Sequence, residues 1–143
     1  MKIEHLAINV AQPVAMARWY VEHMGMRAVV AGAEPPYGHF LSDSPSPGPS
    51  GHPLPSRERD YSGAMLEIYH NPADPVPDYA AQPPARLHLA FLSADPKADA
   101  ARLNAAGASH VEDVALPDGG LIVTVRDPWG LPVQLVRRGR PLI

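Results

Sequence analysis

Residues 2–10 alternate between apolar and polar side chains, the mark of a strand with one buried face. Leu6, Ile8 and Val10 share one face, and Ile3, His5, Ala7 and Asn9 share the other. Pro13 suits the first turn of a helix, where its missing N–H costs nothing. The apolar spacing of Ala15, Met16, Trp19, Tyr20 and Met24 carries that helix on to a stop at Gly25. Strands are predicted at Met26 to Ala33, at His39 to Leu41 and at Ala64 to His70. The second half repeats the order. A strand is expected over Arg86 to Ser93, then a helix capped by Asp95 and opened by Pro96 that stops at Gly107. Strands follow at about 109–116, 121–126 and 132–137, with turns at 117–120 and 127–130.

The repeat is visible residue by residue. At an offset of 83, His5, Leu6, Ala7, Ala11, Pro13, Ala15 and Ala17 fall on His88, Leu89, Ala90, Ala94, Pro96, Ala98 and Ala100. Near the module ends the offset is 67, and Leu66-Glu67-Ile68 lies over Val133-Gln134-Leu135. The difference of 16 residues is about the size of a Pro/Ser/Gly-rich stretch at about 43–62. That composition cannot build a core and reads as a surface insertion. Module 1 is therefore assigned to about 1–71, a proline-rich linker to about 72–84, and module 2 to about 85–143, all within one domain, 1–143.

In four of the strands one polar side chain points away from the large aliphatics. His5 stands opposite Leu6 and Ile8, Glu67 opposite Leu66 and Ile68, His88 opposite Leu87 and Leu89, and Gln134 opposite Val133 and Leu135. The pseudo-twofold implied by the duplication brings the four together. Two imidazoles, one carboxylate and one amide carbonyl form an N2O2 set for one divalent transition metal: Zn, Ni, Fe, Co or Mn.

Composition narrows the function classes. A net charge of −3 without a basic run gives no field for nucleic acid or an anionic membrane. No apolar stretch is long enough to span a bilayer, and the N-terminus shows no signal-peptide core. The chain has no cysteine, hence no disulfide or thiolate metal site, and a cytoplasmic location is the expectation. The remaining histidines and arginines have simpler readings. His23 lies near a helix end, His52 in the insertion, His70 on the face away from Glu67, and His110 among polar neighbours. His39, on a short strand beside the insertion, is a further candidate for the pocket. Arg18, Arg27, Arg57, Arg59, Arg86 and Arg126 read mostly as solvated charges. Trp19 and Tyr20 read as helix-to-sheet core, and Trp129 as a turn or interface residue.

The marks Ile3-Glu4-His5-Leu6-Ala7-Ile8, Trp19-Tyr20, His23-Met24-Gly25-Met26, Leu66-Glu67-Ile68, His88-Leu89-Ala90-Phe91 and Asp127 to Leu135 resemble the vicinal oxygen chelate superfamily. That superfamily includes glyoxalase I, extradiol dioxygenases, methylmalonyl-CoA epimerase, and fosfomycin- and bleomycin-resistance proteins. The resemblance covers nearly the whole chain outside the insertion. It implies an α+β fold of two βαβββ modules forming a curved, mostly antiparallel sheet, with helices on the convex side and a metal on the concave side. It implies His5, Glu67, His88 and Gln134 as the metal ligands, a small-molecule substrate or ligand, and a homodimer. In glyoxalase I the last ligand position is normally Glu and also serves as the base. Here it is Gln134, whose amide cannot take a proton at neutral pH. The catalytic role then falls to Glu67, the only carboxylate of the set.

The activity this implies is a metal-dependent lyase or isomerase resembling glyoxalase I. It would act on vicinal oxygens by proton abstraction and a metal-stabilised enediolate. A second reading is a binding protein of bleomycin-resistance type that sequesters an antibiotic or toxin. A ring-cleaving dioxygenase ranks last, because its iron needs a carboxylate that Glu67 would supply from the wrong strand.

Overall fold

A computed structural model describes residues 3–43 and 64–142, so nearly all of the 43–62 insertion lies outside the described residues. The chain divides into two compact units, Met1–Pro77 and Asp78–Ile143. The expected strand–helix–strand–strand–strand order is found in each.

The first unit holds β1 (His5–Asn9), α1 (Pro13–Met24), β2 (Arg27–Ala31), β3 (His39–Ser42) and β4 (Met65–Tyr69). Its sheet order is β1-β4-β3-β2, with β1 and β4 parallel and the other pairs antiparallel. Pro13 occupies the start of α1, and Gly25 closes it with φ 69°, a left-handed conformation that a side chain would strain. The helix packs against β2, β3 and β4. Met16, Trp19 and Tyr20 bury there, and Ile8, Leu41, Leu66 and Ile68 are the buried aliphatics of the strands. Trp19 and Tyr20 are thus core, as their spacing predicts.

The second unit holds β5 (Leu89–Leu92), α2 (Pro96–Ala105), β6 (Ser109–Ala115), β7 (Leu121–Arg126) and β8 (Pro132–Arg137), in the order β5-β8-β7-β6. Asp95 caps α2 by accepting a bond from the Ala98 N–H at 3.1 Å. The helix rests on β6, β7 and β8, with Leu103, Val123, Val125, Val133 and Leu135 buried. Asp127 Oδ1 accepts from the N–H groups of Trp129 and Leu131, each at 2.9 Å, and fixes the turn into β8.

The two sheets repeat in register as well as in order. Ala7 pairs with Glu67 across the parallel β1–β4 ladder, and Ala90 pairs with Gln134 across β5–β8. A register shift falls between Ala28 and Val30 in β2 and again between His110 and Glu112 in β6. The duplication legible in the sequence therefore extends to the bulges, which re-aim the side chains that follow them.

Two expectations need correction. The strand expected over Arg86 to Ser93 pairs only from Leu89 to Leu92. The Arg86 N–H bonds the Pro83 carbonyl in a turn, so the backbone is committed before His88 and cannot join the ladder. Arg126 is not a solvated charge. Its guanidinium donates to the carbonyls of Tyr79 (3.0 Å), Gly130 (2.9 Å) and Gln82 (2.8 Å). It thereby ties the segment 79–82 to the turn between β7 and β8.

Candidate functional site

In the first unit, alternation along β1 and β4 puts His5, Ala7, Met65, Glu67 and Tyr69 on the face opposite Leu66 and Ile68. His5 and Glu67 meet there. His5 Nε2 lies 3.3 Å from Glu67 Oε2, with the two side chains 33% and 23% exposed. On its other edge the imidazole bonds Glu4 Oε2 through Nδ1 at 2.5 Å. A carboxylate oxygen accepts, so Nδ1 donates to Glu4, and Nε2 is the ring nitrogen that faces Glu67. Phe40, which pairs with Glu67 across β3 and β4, packs edge-on against the His5 ring at 5.4 Å. The imidazole is thus held by a hydrogen bond behind and an aromatic ring beside.

The spacing suits a shared cation. Bonds of about 2.0–2.2 Å to nitrogen and carboxylate oxygen place two donors of one ion about 3.0–3.5 Å apart. A carboxylate bonded to the far nitrogen of a ligating imidazole is the usual support for such a ligand. Glu67 also retains a second oxygen. Gly38 stands beside Oε1, and a Cβ added there would sit 3.8 Å from it.

In the second unit His88 shows the same polarity. Its Nδ1 lies 2.7 Å from the Pro84 carbonyl, an acceptor only, so Nδ1 is the donor there and Nε2 is the nitrogen left without a bond to that turn. The turn that shortens β5 supplies this anchor. Gln134 is half-buried on β8, between Ala90 on β5 and Thr124 on β7. Thr124 is fully buried, and its hydroxyl has no hydrogen-bond partner among the described residues. Across the next ladder Thr124 pairs with Glu112. Among the described residues no three His, Asp or Glu side chains gather closely enough to hold an ion by themselves.

His39 does not reach this surface. It pairs with Ile68 and so lies on the face that carries the buried aliphatics, with 7% exposure. Its Nε2 is buried without a partner, and burial holds its pKa below the usual histidine range. The plainer readings of two others hold. His23, in the last turn of α1, packs at a tilt against Trp19 with ring centroids 5.3 Å apart, and His110 bonds Asp113 at 2.9 Å. His52, Arg57 and Arg59 lie outside the described residues.

Three contributors were not singled out from sequence. Glu4 was signalled only by its place beside His5. Thr124 is the single hydroxyl in an otherwise aliphatic run, Leu121 to Val125, which was the available clue. Arg126 bonds only main-chain carbonyls, which leave no trace in the side-chain pattern.

With this geometry in view, comparison with known proteins is decisive for the family. Residues 5–136 match the model of the glyoxalase-like domain. The chain belongs to that family, within the vicinal oxygen chelate superfamily. No curated protein matches it by sequence. Among solved structures, a glyoxalase-related enzyme from Fulvimarina pelagi is similar at TM-score 0.64 and 19% identity, over 95% of this chain and 87% of that one. A glyoxalase family protein from Enterococcus faecalis is similar at TM-score 0.61 and 25% identity, over 95% and 97%. A lactoylglutathione lyase from Agrobacterium tumefaciens is similar at TM-score 0.60 and 18% identity, over 94% and 92%. This glyoxalase-like chain shares their fold. Among its described residues no helix is long and apolar enough to cross a membrane.

Proposed function

We propose that the chain is a divalent-metal-dependent lyase or isomerase acting on a small substrate with vicinal oxygens. The observation that carries the reading is the His5–Glu67 pair, with its donor atoms 3.3 Å apart and the far nitrogen of the imidazole bonded to Glu4. Likeness in fold to a lactoylglutathione lyase agrees with it. The ligand set is His5, Glu67, His88 and Gln134, for Zn, Ni, Mn, Fe or Co. The working form is a cytoplasmic homodimer.

A divalent ion, when bound, acts as a Lewis acid on the vicinal oxygens of the substrate. The chain's own residues do the rest. Glu4 and the Pro84 carbonyl keep the protons of His5 and His88 on Nδ1. Gln134 offers an amide oxygen and stays neutral at every working pH. Glu67 Oε1 takes the proton from the carbon α to the carbonyl, the electron pair of that C–H bond forming the enediolate. Glu67 then returns the proton to the neighbouring carbon, while the hydroxyl proton of the first carbon passes to the former carbonyl oxygen, so that carbonyl and hydroxyl exchange places.

The test is metal content and turnover together. Protein purified without added metal is assayed for bound ion. Turnover is then screened on α-ketoaldehyde–thiol adducts and on acyl-CoA epimers. His5→Ala and His88→Ala should lose the ion. Glu67→Gln should abolish turnover while part of the ion remains, and unchanged turnover in that variant sinks the assignment. A second reading, sequestration of a small molecule without turnover, draws on Gln134, an amide where a catalytic carboxylate is expected. Ligand binding by metal-free protein, with no product from any substrate, would favour it.

A further inference from the structure

The Gln134 amide carries two N–H donors as well as the oxygen proposed to ligate, and those donors need an acceptor if the oxygen is to keep its direction. The neighbours of Gln134 on its own face restrict where that acceptor can be. Along β8 they are Pro132 and Val136, and across the parallel ladder Ala90 offers only a methyl. Across the antiparallel ladder the diagonal neighbours are Ile122 and Arg126. Arg126 donates rather than accepts, and it is engaged with three carbonyls. The directly opposed residue is Thr124, 0% exposed, with an orphaned hydroxyl oxygen. A buried hydroxyl without a partner is costly and calls for an explanation.

We propose that Thr124 is a positioning residue for Gln134: when the ion binds, its hydroxyl oxygen, unpartnered in this structure, accepts the Nε2–H and thereby aims Oε1 at the metal. The inference rests on the metal-dependent reading and deepens it. Directly opposed residues of an antiparallel pair have Cβ atoms about 4.5–5.5 Å apart, within reach of a glutamine and a threonine. Glu112 pairs with Thr124 from β6. The corresponding row of the first unit holds Ala7, Glu67, Phe40 and Val30. There the ligand is a carboxylate with no N–H to satisfy, and the position matching Thr124 is the apolar Phe40. The hydroxyl thus occurs where the amide occurs.

The experiment is a Co2+ titration of the full chain followed by the d–d absorption of the bound ion. It is run on wild type, Thr124→Val, Thr124→Ser, Gln134→Ala and the double variant of Thr124→Val with Gln134→Ala. Thermal melts of the metal-free proteins are run in parallel. Thr124→Val should raise the Co2+ dissociation constant about 10–100-fold, the usual effect of losing a group that orients a ligand. Thr124→Ser should stay near wild type, and Thr124→Val should add nothing when Gln134 is already alanine. The melting temperature of metal-free Thr124→Val should not fall, since the change removes only an unpartnered hydroxyl. Equal Co2+ affinity in wild type and Thr124→Val, with His5→Ala still weakened, overturns this inference and leaves the metal reading intact. Equally weak Co2+ binding in wild type and His5→Ala overturns both. Should the valine variant not fold, the side-chain amide NMR signal of Gln134 in wild type decides. One of its Nε2 protons should shift and become exchange-protected on adding Zn2+, and an unchanged signal overturns the proposal.

Discussion

His5 Nε2 stands 3.3 Å from Glu67 Oε2, across the parallel pair β1 and β4. Neither residue would present its donor atom this way on its own. The imidazole is turned by Glu4 on one side and by Phe40 on the other, and the carboxylate is placed by pairing with both Ala7 and Phe40. Edge strand, central strand and aromatic support thus act together.

Glu4 is the first point at which this arrangement can be tested. Its side chain is 72% exposed, so its loss should leave the fold intact. Glu4→Ala should raise the dissociation constant for Zn2+ about 10–100-fold, because the His5 ring loses its anchor and part of its basicity. Glu4→Gln keeps an acceptor oxygen and should lie between alanine and wild type. Competition with a chromophoric chelator measures both. Equal affinity across the three proteins would remove Glu4 from the site.

The duplicated module, the strand faces of His5, Glu67 and Gln134, and the caps at Pro13, Gly25 and Asp95 are legible in the sequence, because each leaves a local signature. Alternation assigns a face, and a repeat transfers that face to a second strand. What sequence did not disclose depends on main-chain bonding. The turn that ends at Arg86 removes three residues from β5, and no side chain marks it. Arg126 resembles any exposed arginine until its three carbonyl partners are known. For His39 the sequence misleads: a histidine on a strand beside an insertion suggests a pocket, whereas pairing with Ile68 assigns it to the buried face.

Arg126 should be worth more to stability than a surface charge. Removing it leaves the carbonyls of Tyr79, Gln82 and Gly130 without their donor in a part-buried setting. Arg126→Ala should cost roughly 2–3 kcal/mol. Arg126→Lys should recover only part of this, because an ammonium cannot span three acceptors with the planar fork of a guanidinium. Urea denaturation of both variants gives the comparison, and a loss under about 0.5 kcal/mol for alanine would contradict the role.

Gly130 tests the same junction from the backbone. Its φ is 87°, and a Cβ added there would lie 2.7 Å from the Ala80 N, 2.8 Å from its Cβ and 2.9 Å from its Cα. Strain and collision act in the same direction, and the obstructing atoms are mostly backbone that cannot swing aside. Gly130→Ala should destabilise by roughly 2–4 kcal/mol. Since Arg126 binds the Gly130 carbonyl, the two changes should not be additive, which a double-mutant cycle reads directly.

His39 gives the chain a pH dependence of defined sign. Its imidazole is buried beside Ile68 and Leu41, with Nε2 unpartnered, and burial holds its pKa below the ordinary value of about 6.5. Between the lowered folded value and about 6.5, the unfolded chain binds more protons than the folded one, so stability rises with pH across that window. Above about 6.5 both states are neutral at this site and the contribution is flat. As pH falls below about 6.5 stability should fall, until the folded-state pKa is passed. His39→Leu removes the titrating group and fills the same apolar face. Melting temperatures at pH 7.5 and pH 5.5 should therefore differ less in His39→Leu than in wild type. The variant should also be at least as stable as wild type at the lower pH. An unchanged difference between the two pH values would show that other groups set the acid sensitivity.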